Sequence, residues 1–223
     1  MRRLVLPRLY VILDASLLKQ SETECAVKLA AAGVRLLQYR NKEASARELL
    51  EKSRAIAALV CPQGVTFLVN DRPDVAILAG ADGVHVGQHD LSPDAARRVV
   101  GKDKLVGIST HNLQQFYAAA ATTADYLAVG PVFETRTKAN PDPVVGAELV
   151  RRARAMTDTP IVAIGGITLE RASDIIAAGA DSVAVISDIL LAQDPAERAA
   201  KYIALLEKAP LVREQNDSDV WLS

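Results

Sequence analysis

Eight short apolar runs alternate with helical patterns along almost the whole of this 223-residue chain. The runs are 9–13, 36–39, 66–69, 84–86, 105–108, 126–129, 161–164 and 182–186. Segments of helical character, such as 45–59, 92–100 and 169–178, lie between them. Near-repeats mark the joints: Ala32-Gly33-Val34, Ala79-Gly80-Ala81-Asp82-Gly83-Val84 and Ala178-Gly179-Ala180-Asp181-Ser182-Val183. Each reads as a helix end turning tightly into the next strand, so one βα unit is repeated at a spacing of roughly 20–30 residues. Right-handed βα units in series either open into a doubly wound sheet or close into a barrel. Eight units in about 200 residues favour an α/β architecture of the (β/α)8 TIM barrel kind, with the open sheet as the alternative.

Local punctuation agrees with that reading. Ser21 with Glu24, and Ser45 with Glu48, have the spacing of capping boxes. Ser92 before Pro93 reads as a cap followed by proline at the first helical position. Gly33, Gly80 and Gly179 stand where helices end. One barrel domain is expected over residues 1–208, followed by a polar tail over 209–223 that holds Trp221.

Half of the residues are hydrophobic and only 4% are aromatic, a mix that suits a parallel sheet wrapped in alanine-rich helices. The net charge of −1 argues against a nucleic-acid partner, which would want a basic face. No apolar run approaches the ~18 residues of a membrane span, and the N-terminal apolar stretch is too short for a signal peptide. Cys25 and Cys61 lack metal-ligand spacing and are expected as buried free thiols in a reducing cytosol, so the location expected is cytoplasmic. Barrels often pair through outer helices, and a homodimer is kept open.

In a barrel, the residues that follow each strand share one mouth, and chemistry concentrates there. Residues 130–138, Gly-Pro-Val-Phe-Glu-Thr-Arg-Thr-Lys, follow the sixth run directly. Thr135, Thr137 and Lys138 can all donate hydrogen bonds to an anion, although a solvated surface turn is the plainer reading. After the second run, strand alternation puts Gln38, Arg40 and Lys42 on one side and Tyr39 and Asn41 on the other. An amide and two cations facing one way make an anion cradle. Asn70 and Asp71 end the third run, where Asp71 has the plainer reading of a helix cap before Pro73. Asp90 follows the fourth run and would face Asp71; two carboxylates among cations suggest Mg2+, which takes one or two carboxylates plus water and substrate phosphates. Ser109 follows the fifth run, Gly165-Gly166 the seventh, and Ile186-Ser187 the eighth. The last two positions are where barrels often hold a phosphomonoester on backbone N–H groups. Two anion sites therefore face one pocket, one metal-assisted and one metal-free.

The set Gln38–Lys42, Asn70-Asp71-Arg72, Gly83-Val84-His85-Val86-Gly87-Gln88, Gly107-Ile108-Ser109, residues 130–138, 163–167 and 183–187 resembles the thiamine-phosphate synthase family over roughly residues 8–207. The resemblance implies a (β/α)8 barrel that joins a hydroxymethylpyrimidine diphosphate to a hydroxyethylthiazole phosphate. It implies Mg2+ on Asp71 and Asp90. It implies a grip on the pyrophosphate from Gln38, Arg40, Lys42, Asn70, Ser109 and Lys138, with Arg40, Lys42, Ser109 and Lys138 as the catalytic group. It implies that Thr135, Thr137, Gly166, Ile186 and Ser187 place the thiazole phosphate. The partners it implies are these small-molecule substrates. The reaction it implies is dissociative and needs charge stabilisation and positioning rather than a general base.

Two rivals share the pocket. A thiazole tautomerase of the same superfamily would need a base such as His111 but no carboxylate pair. A non-catalytic phosphate sensor would keep the pocket and lose catalytic positions. His85, on the 84–86 run with the orientation opposite to its valine neighbours, is expected to be a structural histidine hydrogen-bonded inside the barrel. The segment 140–143, with two prolines, is expected to form a stiffened lid.

Overall fold

The computed structural model describes residues 4–135 and 142–209. In chain order the elements are β1 (Leu9–Asp14), α1 (Glu22–Ala31), β2 (Leu36–Arg40), α2 (Ala46–Val60), β3 (Thr66–Asn70), α3 (Pro73–Ala79), β4 (Gly83–Val86) and α4 (Pro93–Val100). There follow β5 (Leu105–Thr110), α5 (Leu113–Ala120), β6 (Tyr126–Val129), α6 (Gly146–Arg154), β7 (Ile161–Ile164), α7 (Leu169–Ala177), β8 (Ser182–Val185), α8 (Ser187–Leu190) and α9 (Pro195–Leu206). The eight strands pair in chain order, all parallel, and close where β1 meets β8 at Leu9 opposite Val183 and Val11 opposite Val185. The closed barrel expected from the repeat is the one observed, and the open sheet is excluded.

Closure splits the hydrophobic residues into two sets. Leu9, Val11, Leu37, Phe67, Val84, Leu127 and Val183 face outward and pack with the helices. Tyr10, Ile12, Leu36, Leu68, Tyr126, Ala128, Val162 and Ala184 fill the barrel itself. The two-residue period of a strand does this sorting, because neighbouring side chains point to opposite faces. Strands buried on both faces must be apolar throughout, which is why the runs read as continuous.

The near-repeat has a physical cause at the N-terminal rim. Asp82 precedes β4, and its carboxylate accepts the backbone N–H of Phe67 at the start of β3 (2.8 Å). Asp125 does the same for Val106 (2.7 Å) and Asp181 for Ile161 (2.8 Å). Each aspartate thus satisfies a neighbouring strand's first free donor, which would otherwise be left unpaired on burial. Gly80, with φ of 74°, supplies the left-handed residue that ends α3 before one of these turns.

The caps divide. At α2, Ser45 Oγ accepts from Glu48 N while the Glu48 carboxylate accepts from Ser45 N, a complete capping box. Ser92 caps α4 through Ala95 N. The box expected at Ser21 is absent, because its hydroxyl is bonded to Thr23 Oγ1 instead. Cys25 is buried, but Cys61 is only half-buried against Asp82, which corrects the expectation for that thiol. The tail from residue 210 onward, Trp221 included, lies outside the described residues.

Candidate active site

The inward-facing residues turn polar toward the C-terminal ends of the strands. Ile12 pairs in register with Gln38, Asp14 with Arg40, Asn70 with His85, and Ser109 with Ala128. A cavity of about 500 Å3 opens above this layer. Gln38, Arg40, Lys42, Asn70, Asp71, Asp90, Ser109, Thr135, Gly166, Ile186 and Ser187 all line it. Of the residues singled out in the sequence, Thr137 and Lys138 lie outside the described residues, as do positions 140 and 141 of the expected lid. Tyr39 and Asn41 are absent from the lining, and the Tyr39 hydroxyl lies instead beside Glu22, 3.3 Å from its carboxylate. The parity argument for β2 therefore sorts its residues correctly.

Asp71 does not cap α3. Its backbone takes the left-handed conformation, φ 62°, and the N-cap position falls on Arg72. This conformation is uncommon outside glycine, though aspartate tolerates it better than most residues. It is held by the bond from Asp71 N to the His85 carbonyl (2.7 Å). The side chain thereby stands against Asp90 with Lys42 Nζ 3.2 Å away. Burial first, and then the Asp90 carboxyl beside it, push the Asp71 carboxyl above its ordinary range, while Lys42 pulls the other way. Asp90 in turn accepts from Gly87 N (2.8 Å), which fixes its own loop.

Among the described residues no group of three or more His, Cys, Asp and Glu side chains is placed to hold a metal. The Asp71–Asp90 pair still suits Mg2+, which takes one or two carboxylates and completes its shell with water and phosphate oxygens. Asp71 is half-buried and Asp90 exposed, and among the described residues Lys42 is the one lysine paired with them, so the carboxylates outweigh the cations at this point of the mouth.

On the other side of the mouth, Gly165 and Gly166 both have positive φ, 101° and 63°. A Cβ on Gly166 would run into the Glu134 carbonyl oxygen. The close approach that this pair permits is, in the first instance, that of the segment after β6, whose Phe133 N bonds to the Gly165 carbonyl (3.0 Å). Gly166, Ile186 and Ser187 come from β7 and β8, which stand across the barrel from β3 and β4 in an eight-strand ring.

Three participants escaped sequence reasoning. Asp14 is 1% exposed and bonds directly to the Arg40 guanidinium. It sits one residue beyond the run ending at 13, with the same parity as Tyr10 and Ile12, and that parity was the available signal. Tyr10 and Tyr126 are buried below the cavity and reach its floor through His85. His85 is the internal histidine expected, bonded to Tyr126 Oη and Ser109 Oγ at 2.8 Å each.

A family model described as thiamine monophosphate synthase matches residues 9–189. The chain belongs to this family. It is 52% identical to the thiamine-phosphate synthase of Koribacter versatilis, over 91% of this chain and 97% of that protein. The thiamine-phosphate synthase of Chloroflexus aurantiacus is 42% identical, over 89% and 92% respectively. Among solved structures, the thiamine phosphate pyrophosphorylase of Pyrococcus furiosus superposes with a TM-score of 0.83 at 32% identity, covering 91% of this chain and 96% of that one. Membership of the thiamine monophosphate synthase family makes the chain an enzyme, a transferase, and its cavity the place to look for the transfer.

Proposed function

We propose that the chain is a thiamine-phosphate synthase that joins 4-amino-5-hydroxymethyl-2-methylpyrimidine diphosphate to hydroxyethylthiazole phosphate, releasing pyrophosphate. The observation that supports this reading is that one mouth brings Arg40 and Lys42 beside the Asp71 and Asp90 pair after β2–β4, and the Gly165-Gly166 turn with Ile186 and Ser187 after β7–β8. In the proposed reaction the C–O bond to pyrophosphate breaks first and the leaving group takes the electron pair. The pyrimidine methyl cation is then captured by the thiazole nitrogen, which forms the new C–N bond. Arg40 and Lys42, with Lys138 from the segment outside the described residues, would bind the leaving oxygens. Gln38, Asn70 and Ser109 would complete that end of the site. Thr135, Thr137, Gly166, Ile186 and Ser187 would hold the thiazole phosphate so that the nitrogen waits beside the cation, and such positioning is a large part of the rate. Asp71 and Asp90 would hold Mg2+, which when bound supplies positive charge to the pyrophosphate. The same reading places the enzyme in the cytoplasm with small phosphorylated substrates as its partners, and with neither nucleic acid nor membrane. No helix among the described residues is long and apolar enough to cross a membrane.

Nothing favours the tautomerase. His111, its candidate base, has Nδ1 on the Gly130 carbonyl (2.6 Å) and Nε2 3.4 Å from the Asp142 carboxylate. A carbonyl only accepts, so Nδ1 carries a proton there and Nε2 is turned to the Asp142 carboxylate. What favours the synthase instead is the Asp71 and Asp90 pair beside Arg40 and Lys42, which a tautomerase would not need. The test is to incubate the protein with both substrates and Mg2+ and to measure thiamine phosphate and pyrophosphate. Turnover is expected to collapse with EDTA and to fall by about 10²–10³ in Lys138→Ala, the usual loss for one charge stabiliser. A folded protein that binds the thiazole phosphate and makes no product would sink the reading.

The metal assignment has its own consequence. Because the Asp71 carboxyl is pushed up, leaving it ionised in the folded, metal-free protein is unfavourable. Asp71→Asn is therefore expected to melt no lower than the parent in EDTA. The parent should gain about 2.7 kcal/mol at Mg2+ a hundred times its Kd, and Asp71→Asn should gain almost none. Equal Mg2+ shifts in thermal melts of the two proteins would remove Asp71 from the metal site.

A further inference from the structure

A line of hydrogen bonds crosses the barrel interior from Gln38 to Ser109 without a break. Gln38 Nε2 donates to Tyr10 Oη (2.5 Å), and the Tyr10 and Tyr126 hydroxyls meet at 3.1 Å. Tyr126 Oη meets His85 Nδ1 and His85 Nε2 meets Ser109 Oγ, both at 2.8 Å. Tyr10 and Tyr126 are 1% and 0% exposed, and neither touches the cavity. Both ends of the line do. The aromatic rings are fixed as well. Tyr126 stacks on His85 at 5.5 Å between centroids and stands edge-on to Tyr10 at 6.1 Å. A Cβ on Gly107 would overlap the Tyr126 ring, so the glycine on β5 leaves the space that the ring occupies.

Proton counting gives this line a direction. A phenol has one proton to donate, and a neutral imidazole has one donor and one acceptor nitrogen. Burial pushes both phenols well above their ordinary range, so they stay protonated. Tyr10 accepts from Gln38 and must donate to Tyr126. Tyr126 must then donate to His85 Nδ1. That order assigns the His85 proton to Nε2, to be given to Ser109 Oγ, which leaves the Ser109 proton for the cavity. At the other end, one of the two Gln38 N–H donors is taken up by Tyr10, and with the nitrogen turned to that side the amide oxygen is the acceptor on the other. Rotating that amide would reverse every bond in the line, so the two ends are coupled.

We propose that Tyr10, Tyr126 and His85 are positioning residues that fix Gln38 as a hydrogen-bond acceptor and Ser109 as a donor toward the pyrimidine of the diphosphate ester. This moves Gln38 from the pyrophosphate to the pyrimidine end, because an amide oxygen can only accept. The substrate class rests on the synthase reading above. An aminopyrimidine edge offers an amino donor beside ring-nitrogen acceptors, which this polarity matches. An oxopyrimidine places an acceptor where Gln38 already shows one, and two facing acceptors leave a buried group unpaired.

Two measurements test the proposal. In protein carrying 15N-histidine, the ring of His85 is read by NMR without substrate, the other two histidines being assigned by His89→Gln and His111→Gln. Protonation on Nε2 is expected, and Tyr10→Phe should mix the two tautomers. In kinetics, the parent should prefer the amino over the oxo pyrimidine diphosphate, and Tyr10→Phe should cut the ratio of kcat/KM values roughly tenfold, about one net hydrogen bond. KM for the thiazole phosphate should not move, which separates a positioning role from a general loss of packing. A parent His85 protonated on Nδ1 would overturn the proposal. So would a Tyr10→Phe protein whose tautomer and substrate preference both match the parent. Tyr126→Phe replaces it should Tyr10→Phe fail to fold. Correct tautomers with no synthase turnover would defeat the functional reading and leave the proton order standing.

Discussion

Arg40→Ala is expected to lose both stability and turnover, for separable reasons. Asp14 ends β1 directly opposite Arg40 on β2, and only 2% of its side chain is exposed. One carboxylate oxygen takes the Arg40 guanidinium, and the other takes Ser16 N (3.1 Å) and Ser16 Oγ (2.7 Å). Without Arg40 a carboxylate is left buried with no cation, a change that costs about 3–5 kcal/mol. In a domain of this size that is a fall in Tm of roughly 10 °C. Turnover should fall on the order of 10²–10³ because a stabiliser of the leaving group is gone. The double variant Asp14→Asn/Arg40→Gln removes both charges and should recover most of the stability but none of the activity. Arg40→Lys keeps the charge without the bidentate fork, so it should sit between. A Tm of Arg40→Ala equal to the parent's would show that the pair contributes nothing.

What the sequence revealed and what it hid follow from the range of the interactions. Gln38 and Arg40 were legible because alternation is local: two residues of one parity on β2 must share a face, and Lys42, just beyond the strand end, turns to the same mouth. Two joints of the βα repeat were legible because their aspartates, Asp82 and Asp181, are each tied to an adjacent strand. The capping pattern was only half legible. Ser21-x-x-Glu24 and Ser45-x-x-Glu48 have the same spacing, yet Ser21 spends its hydroxyl on Thr23, a competition that spacing cannot rank. Asp71 before Pro73 looked like a cap, but its left-handed backbone turns the carboxyl to Asp90 instead. Barrel closure was reached from the count of eight units and not from any local signal, since it depends on β1 meeting β8 across 174 residues, as in the contact of Ser182 with Arg8. Tyr10 and Tyr126 pair over 116 residues, and each alone looks like an ordinary core tyrosine. Their meaning appears only when His85 and Gln38 are seen to share their protons.

Gly107→Ala should show how tightly that interior is built. The added methyl would overlap Cζ, Cε1 and Oη of Tyr126. The ring cannot swing aside without leaving the Tyr10 and His85 contacts that hold it at both hydroxyl and face. Overpacking of this kind costs about 1–3 kcal/mol, and here the lost hydrogen bonds place it at the upper end. Urea denaturation of Gly107→Ala should therefore show a lowered midpoint at unchanged slope. The cause is isolated by Tyr126→Leu, which removes the atoms that the methyl would strike. In that background Gly107→Ala should cost almost nothing, so the two changes should couple by 1 kcal/mol or more on the scale of about 0.5–3 seen for residues in contact. Additive costs would mean that the methyl acts through the β5 backbone and not through the tyrosine. Turnover is expected to follow stability only in part. Ser109 lies two residues further along the same strand and faces the same interior, so a displaced Tyr126 shifts His85 and leaves the Ser109 hydroxyl without its donor. Gly107→Ala should then lose substrate preference as Tyr10→Phe does, even at temperatures where it is fully folded.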